Sequence, residues 1–238
     1  MIRLSSEKPF AHGGNRLCFV DPENPDRCIK VRRPEFTLED LRKKKGFPYT
    51  VLPLSAVDES VKEDKILSAC ERKLGDALYS TVSRHYGFVE TDMGPGLCSE
   101  LIRNTDGRIS LSVMEYVWDF GKTDSLLKAV DRFAEHWPQL MVPSRDLLLH
   151  NVVAQCNAHN EVQRLVVIDG LGYSGMIPFS CLPSSYKIRR ANKKIEKFRR
   201  LLDELLEVQK KGEMTNLFWK QKHDGKADHK ADDGAGKP

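Results

Sequence analysis

The sequence predicts an α+β fold with a β-rich N-terminal lobe and a mostly helical C-terminal lobe. Short β-rich runs fill the first thirty residues, helical apolar spacing begins near residue 61, and a long amphipathic segment spans residues 186–211. A chain of 238 residues is long enough for one large domain or for two small lobes that share a cleft. These three observations favour the two-lobed arrangement.

The elements follow from local patterns along the chain. Residues 17–20 and 27–31 flank a segment of Asp, Asn and Pro, which predicts a hairpin. Residues 32–60 are polar and are predicted to form a surface loop with one helical turn. The remaining predicted elements are a helix at 61–84, strands at 88–91 and 97–102, a helix at 126–137 ending at Pro138, strands at 152–153 and 165–168, and a helix at 186–211.

Composition excludes several classes of protein. Charged residues make up 30% and apolar residues 40% of the chain, which is ordinary for a soluble domain and too apolar for wholesale disorder. No apolar run approaches the roughly 20 residues of a membrane-spanning helix, and the N-terminus lacks the apolar segment of a signal peptide. We therefore expect a cytoplasmic protein whose six widely spaced cysteines stay reduced.

The chain is predicted to divide into three parts. Residues 1–102 form the predicted N-lobe, and residues 103–220 form a reduced helical C-lobe that carries the candidate catalytic and metal loops. Residues 221–238 consist mainly of Lys, Asp, His, Gly and Ala, which leaves almost nothing to bury. We expect this tail to be disordered.

Four features whose residues could bind a ligand or take part in catalysis follow one another in the sequence. Gly13 and Gly14 lie in a turn, Lys30 ends an apolar strand, residues 144–151 read Ser-Arg-Asp-Leu-Leu-Leu-His-Asn, and residues 169–170 read Asp-Gly after a β-branched run. Each alone has an ordinary explanation, such as a hairpin turn, a strand-end lysine or an Asx turn. Their order along the chain favours a catalytic or ligand-binding role instead.

In this order the features resemble those of a protein kinase. Residues 145–151 match the catalytic-loop pattern H-R-D-x-x-x-x-N at Arg, Asp and Asn, with Ser144 where His is usual. The Asp-Gly pair at 169–170 resembles the D-F-G element without its Phe. The run that ends at Lys30 resembles the third strand with its phosphate-binding lysine.

The chain is more closely similar to the YrbL family, small bacterial kinase-like proteins linked by name to the PhoP regulatory network. The resemblance runs over about residues 1–205, and its most specific stretch is the glycine-containing Val-Glu-Thr-Asp segment at 86–97. The other matching stretches are 1–5, 9–19, 27–30 and 101–107, together with Asn151, Asp169 and Gly170. The resemblance implies a minimal protein-kinase-like bilobal fold.

The resemblance also implies a site for ATP and Mg²⁺. Its nucleotide-binding residues would be Gly13, Gly14, Arg16, Lys30, Glu63, Glu100, Leu101 and Ile102. Asp146 would be the catalytic base that orients the acceptor hydroxyl, and Asn151 and Asp169 would supply oxygen ligands to Mg²⁺.

Two assignments keep alternatives open. Glu63 is the first choice for the helix carboxylate that holds Lys30, and Glu71 is the second. Arg16 stands where the phosphate loop of a kinase has a glycine, so it either brings a charge near phosphate or faces solvent.

Two functions fit this pattern. The first is a kinase that acts on an unidentified hydroxyl acceptor, which need not be a protein because no long activation segment or A-P-E element follows Asp169. The second is a pseudokinase that serves as a nucleotide-binding scaffold in PhoP-type regulation. Leu148 occupies the position of a kinase catalytic-loop lysine and favours slow turnover, whereas the presence of Asp146 favours activity.

The positive charge is concentrated in residues 187–200, which contain eight basic residues and one acid. A solvated outer face of an amphipathic helix explains this run. The alternative is a docking surface for nucleic acid, an anionic lipid head group or an acidic partner.

Overall fold

The structure is a computed structural model that describes residues 1–13, 15–173, 175 and 177–212. Gly14 and the tail at 221–238 lie outside the described residues. The strands are β1 (Ala11–His12), β2 (Arg16–Asp21), β3 (Asn24–Arg32), β4 (His85–Thr91), β5 (Gly94–Glu100), β6 (Val152–Cys156) and β7 (Val162–Val167). The helices are α1 (Leu38–Lys45), α2 (Glu59–Leu74), α3 (Val113–Phe120), α4 (Asp124–Leu140) and α5 (Ser184–Lys211).

The N-terminal lobe is a five-stranded antiparallel sheet in the order β1-β2-β3-β5-β4. Because successive strand residues point to opposite faces, β3 sends Ile29 and Val31 into the sheet core and Cys28 and Lys30 towards the second lobe. Gly96 of β5 faces β3 so closely that a Cβ there would lie 2.5 Å from the Ile29 side chain. The alternation brings Lys30 to the cleft.

The N-terminus is fastened to the turn between β4 and β5. The Ile2 amide donates to the Glu90 carbonyl at 2.9 Å, and the Asp92 carboxylate accepts from the Leu4 amide at 2.7 Å and from the Ser5 hydroxyl at 2.6 Å. The Ser5 hydroxyl and the Leu4 amide lower the pKa of Asp92. Asp92, the last residue of the Val-Glu-Thr-Asp segment, therefore holds residues 2–5 in place.

The stretch predicted as a loop with one helical turn contains the two-turn helix α1. The Thr37 side chain caps it by accepting from the Asp40 amide, acidic residues occupy its first turn, and basic residues occupy its last. No residue of α1 is buried, so the sequence shows no apolar stripe there. The prediction for this segment was therefore incomplete.

Helix α2 packs with the second lobe although it precedes two strands of the sheet. Leu67 of α2 and Leu78 and Val82 after it belong to the same core as α3, α4 and α5. The chain after α2 also pairs with β7, since the Ser83 amide donates to the Val167 carbonyl at 3.1 Å. The helical core therefore fixes the position of α2.

The C-terminal lobe contains α3, α4, α5 and the ribbon of β6 and β7. Helix α3 was not predicted, and a capping box of Ser112 and Glu115 starts it. Helix α4 continues past Pro138 to Leu140 and ends at Met141, which adopts a left-handed conformation. The predicted α+β division into a β-rich and a mostly helical lobe is confirmed.

Two further properties concern the chain as a whole. In the described part, no helix is both long and apolar enough to cross a membrane. All six cysteines carry free thiols.

Candidate functional site

A cavity of about 550 Å³ lies between the sheet and the helical lobe. Its walls are mostly apolar, with Cys28, Leu101 and Ile109 in one cluster and Ile102, Val153 and Ile168 in another. Its polar lining residues include Lys30, Glu100, Asn151 and Asp169. Apolar walls with a few converging polar groups are typical of a small-molecule site.

A second cavity of about 290 Å³ adjoins the first. The two share the lining residues Gly13, Cys18, Asn151 and Asp169. The second is also lined by Asn15, Arg16, Glu59, Arg145, Asp146 and Gly170. The structure therefore brings the predicted base and the two predicted metal ligands to one continuous space.

Lys30 is buried in the cleft. Its Nζ lies 3.6 Å from Glu63 Oε1 and donates to the Ile168 carbonyl at 2.5 Å. Burial lowers the pKa of Lys30, but the charges of Glu63 and Asp169 outweigh this effect and raise it. Glu71 instead accepts from the Tyr79 hydroxyl, so of the two helix carboxylates it is Glu63 that lies beside Lys30.

Arg16 joins the same buried group of charges. Its guanidinium donates to Glu63 at 2.7 Å and to Asp169 Oδ2 at 2.5 Å, and only 7% of the residue is exposed. The alternative in which Arg16 faces solvent is therefore wrong. Burial raises the pKa of Asp169, but the positive charges of Lys30 and Arg16 hold it well below its usual value.

Glycine 170 lets the two candidate catalytic segments approach each other. Its φ is +81°, and a Cβ there would lie 2.5 Å from the Asp146 carbonyl and 2.8 Å from Asn151 Nδ2. The Arg145 amide donates to the Gly170 carbonyl at 2.8 Å, and the Ile168 amide donates to the Asn151 carbonyl at 2.9 Å. A side chain at 170 would force apart the backbone segments that carry Asp146, Asn151 and Asp169.

Asp146 contacts helix α5. Its Oδ1 accepts from Lys197 Nζ at 2.8 Å and from Lys194 Nζ at 3.3 Å, and Lys194 also donates to the Arg145 carbonyl. Partial burial raises the pKa of Asp146, but the hydrogen bond from Lys197 and the charge of Lys194 outweigh it and lower the pKa. The interpretation of the basic run as only a solvated outer face is therefore wrong for these two lysines.

The segment Glu100 to Ile102 connects the lobes at the cavity wall. The Glu100 amide donates to the Arg84 carbonyl at 2.8 Å, and the Leu101 amide donates to the Asp26 carbonyl at 2.9 Å. The Ile102 carbonyl accepts from the Ser110 amide at 2.9 Å. Within the described residues, the Ile102 amide is left without a hydrogen-bond acceptor, and Ile102 lines the cavity.

The predicted phosphate loop is only partly described. The Gly13 amide donates to the Arg16 carbonyl at 2.8 Å, and Gly13 lines both cavities. Gly14 lies outside the described residues. No group of three or more His, Cys, Asp or Glu side chains in the described part is arranged to hold a metal ion.

The arrangement as a whole is that of a minimal protein-kinase-like bilobal fold. A strand lysine pairs with a helix glutamate, and the loop that carries Asp146 and Asn151 is hydrogen-bonded to the Asp-Gly turn at 169–170. The sequence did not reveal the partners of Asp146 and Asp169 because these partners come from distant segments. The eight basic residues at 187–200 were the one signal available.

Comparisons with known proteins give a family and a distant structural likeness. The family described as "PhoP regulatory network protein YrbL" matches residues 2–203. "Uncharacterized protein YrbL" of Escherichia coli strain K12 and its counterpart in Shigella flexneri are each 28% identical over 188 residues, covering 76% of this chain and 78% of each relative. The "Crystal structure of Rad53 1-466 in complex with AMP-PNP" matches with a TM-score of 0.43 at 11% identity, over 87% of this chain and 47% of that chain.

Proposed function

This chain belongs to the YrbL family of PhoP regulatory network proteins, and we propose that it is an ATP-dependent phosphotransferase acting within such a network. One observation carries the proposal. The Lys30–Glu63 pair, Asp146, Asn151 and Asp169 converge on two adjoining cavities between the lobes.

The larger cavity suits the nucleotide. Apolar clusters above and below it would contact the two faces of the base, and the Ile102 amide at its wall would donate to a ring nitrogen. The Lys30 ammonium, held by Glu63, would contact the phosphates. Gly13 would let backbone approach them closely.

Asn151 and Asp169 suit a magnesium ion that is bound together with a nucleotide. Mg²⁺ prefers oxygen ligands and is commonly held by one or two carboxylates plus phosphate oxygens, which agrees with a protein set of one amide and one carboxylate. When bound, it would neutralise charge on the phosphates. Asp169 would have to exchange its contact with Arg16 for the ion.

Asp146 would accept the proton of the acceptor hydroxyl. It lines the second cavity, and its lowered pKa keeps it ionised at neutral pH. Helix α5 begins at Ser184, only a short distance after Asp169, which leaves little chain for a peptide-docking segment. We therefore propose a hydroxyl acceptor that is not a protein.

The test compares the wild type with Asp146→Asn. Saturating ATP with Mg²⁺ should stabilise both proteins, by about 2.7 kcal/mol at a ligand concentration 100 times Kd, as measured by thermal unfolding. The wild type should release phosphate from ATP slowly or transfer it to an acceptor. Loss of the base should reduce this rate about 100-fold or more.

Asp131→Asn is the matched control, because Asp131 is an exposed carboxylate of α4 that pairs with Arg199. It should behave as the wild type. Stabilisation by ATP without any phosphate release would contradict the phosphotransferase. Absence of any stabilisation would contradict nucleotide binding altogether.

A specific observation favours the second candidate, a nucleotide-binding scaffold without turnover. Arg16 occupies Asp169 Oδ2 and thereby supplies positive charge where a metal ion would bind. In this case the chain would bind nucleotide without Mg²⁺, and ATP would stabilise it equally with and without the ion.

We also propose that the outer face of α5 binds an anionic partner. Arg189 and Lys193 are exposed on that face, whereas Lys187 is buried and Lys194 and Lys197 face inwards. The candidate surface is therefore smaller than the basic run at 187–200.

A further inference from the structure

Two lysines of α5 share one oxygen of the candidate catalytic base. Lys197 Nζ lies 2.8 Å from Asp146 Oδ1, and Lys194 Nζ lies 3.3 Å from the same atom. The Lys194 side chain is 20% exposed and that of Lys197 is 37% exposed. Lys194 is thus mostly enclosed against the loop, whereas the Lys197 side chain is more open to solvent beside Asp146.

The catalytic loop itself carries no cation at the position that the kinase pattern provides for one. Leu148 stands there, two residues after Asp146, and is half-buried. Phosphoryl transfer depends on positive charge around the transferred group, since its charge is spread over three oxygens. This position of the loop therefore supplies no positive charge to the transferred group.

The other cations near the site are paired with carboxylates. Arg16 and Lys30 are the two cations that contact the two carboxylates Glu63 and Asp169. Arg145 pairs with Glu59 at 3.0 Å. At Asp146, in contrast, two cations share one carboxylate.

We propose that Lys197 is the cation that contacts the transferred phosphoryl group, and that Lys194 is a positioning residue that holds the catalytic loop. The proposal rests on the phosphotransferase function. Helix α5 thus replaces, from about fifty residues away in the chain, the lysine that the loop lacks. The excess positive charge at Asp146 is the feature that assigns this role.

Phosphoryl transfer from ATP to the acceptor forms one bond and breaks another. The acceptor hydroxyl gives its proton to the Asp146 carboxylate, and its oxygen forms a bond to the γ-phosphorus. The bond from that phosphorus to the bridging oxygen breaks, and the bridging oxygen leaves with the electron pair on ADP. Lys197 stays protonated and contacts the phosphoryl oxygens while they pass from donor to acceptor.

The same contacts give a pH signature. The charged and titratable groups around Asp146 are Lys194 and Lys197 of α5, Arg145 beside it and His150 in the following turn. Removal of Lys197 takes away a hydrogen bond that lowers the pKa of Asp146. The acid limb of the pH–rate profile should therefore move to higher pH.

The experiment uses Lys197→Met, Lys197→Arg and Lys194→Met, with ATP turnover measured from about pH 3 to pH 9 so that the range includes the acid limb set by Asp146. Lys197→Met should lower kcat about 100-fold with little change in KM for ATP, and should shift the acid limb upwards. Lys197→Arg should recover most of kcat because it keeps the charge. Lys194→Met should shift the acid limb in the same direction.

Lys193→Met is the matched control, since Lys193 is exposed on the outer face of the same helix. It should retain wild-type kinetics. If the wild type turns over and Lys197→Met matches it in kcat and pH profile, only the inference about α5 is overturned. If the wild type binds ATP without turnover, the phosphotransferase function fails and the inference fails with it.

Lys197→Gln keeps the test decisive if Lys197→Met does not fold, because it also removes the positive charge. A folded Lys197→Gln protein with kcat about 100-fold lower and a raised acid limb supports the proposal, whereas wild-type kcat and pH profile contradict it. A raised KM for ATP with unchanged kcat in either variant contradicts it, because the lysine would then contribute to ground-state binding alone.

Discussion

At the scale of single residues, the most informative side chain is Arg16. It replaces a glycine of the phosphate loop, and the sequence alone allows it to face either phosphate or solvent. Its partners Glu63 and Asp169 are 47 and 153 residues away, so no local pattern points to them. A buried charge persists only when it is paired, which explains why Arg16 meets two carboxylates.

Arg16→Gln should increase the affinity for Mg²⁺ in the presence of ATP, because the variant frees Asp169 Oδ2 from a competing cation. It should also lower the free energy of unfolding by about 3 kcal/mol, since buried Glu63 and half-buried Asp169 lose a partner. Titration of Mg²⁺ at fixed ATP, followed by calorimetry, measures the first effect. Urea denaturation measures the second.

Arg32→Gln is the control for this variant. Arg32 is the register partner of Arg16 on β3 and pairs with Asp58 at 2.5 Å, away from Asp169. We expect it to leave Mg²⁺ affinity unchanged and to cost less than about 1 kcal/mol. Unchanged or weaker Mg²⁺ binding in Arg16→Gln would show that Arg16 does not compete with the ion.

At the scale of elements, helix α2 connects packing with the site. Glu63 faces Lys30 on one side of the helix, and Leu67, one turn later, enters the core of the helical lobe. The glutamate is therefore positioned by the second lobe and the lysine by the sheet. Their contact depends on how the two lobes meet.

Leu67→Ala should lower the free energy of unfolding by about 2–5 kcal/mol, because Leu67 is 4% exposed and its loss leaves a cavity. It should also weaken ATP binding, since α2 carries Glu63. Urea denaturation and ATP titration check the two effects. Leu52→Ala, at a 39% exposed leucine, should change neither measurably.

At the scale of the whole molecule, the net charge of +4 conceals an uneven distribution. Most of the excess positive charge lies on α5, where the inner edge faces Asp146 and the outer face carries Arg189 and Lys193. One helix thus presents two separate groups of cations. The inner edge belongs to the candidate site, and the outer face is the surface proposed above for an anionic partner.

The double variant Arg189→Gln with Lys193→Gln should weaken binding to vesicles containing anionic lipid at low salt, because two exposed cations are lost. ATP binding should stay at the wild-type level. Vesicle co-sedimentation at two salt concentrations measures the effect. If the wild type does not bind these vesicles, or binds them equally at both salt concentrations, anionic lipid is not a partner of this face.

Patterns among neighbouring residues were enough to predict the two-lobed α+β arrangement, the strand that ends at Lys30 and the amphipathic helix α5. These properties depend on neighbouring residues, whose periodicity is set by the backbone. Helix α3 and the full extent of α1 were not predicted, for different reasons. The capping box of Ser112 and Glu115 is a signal that the sequence itself carries, whereas α1 buries no residue and so shows no apolar stripe.

Which charges meet follows from the tertiary structure, since the partners lie far apart in the sequence. Arg16 reaches Asp169 across 153 residues, and Lys197 reaches Asp146 across 51. The first contact forms where the sheet packs against the helical lobe, and buried Arg16 is stable there because it lies beside counter-charges. The second forms within the helical lobe, where α5 packs against the loop that carries Asp146. Local patterns supply the residue types of the candidate site, whereas the packing of distant segments supplies their partners.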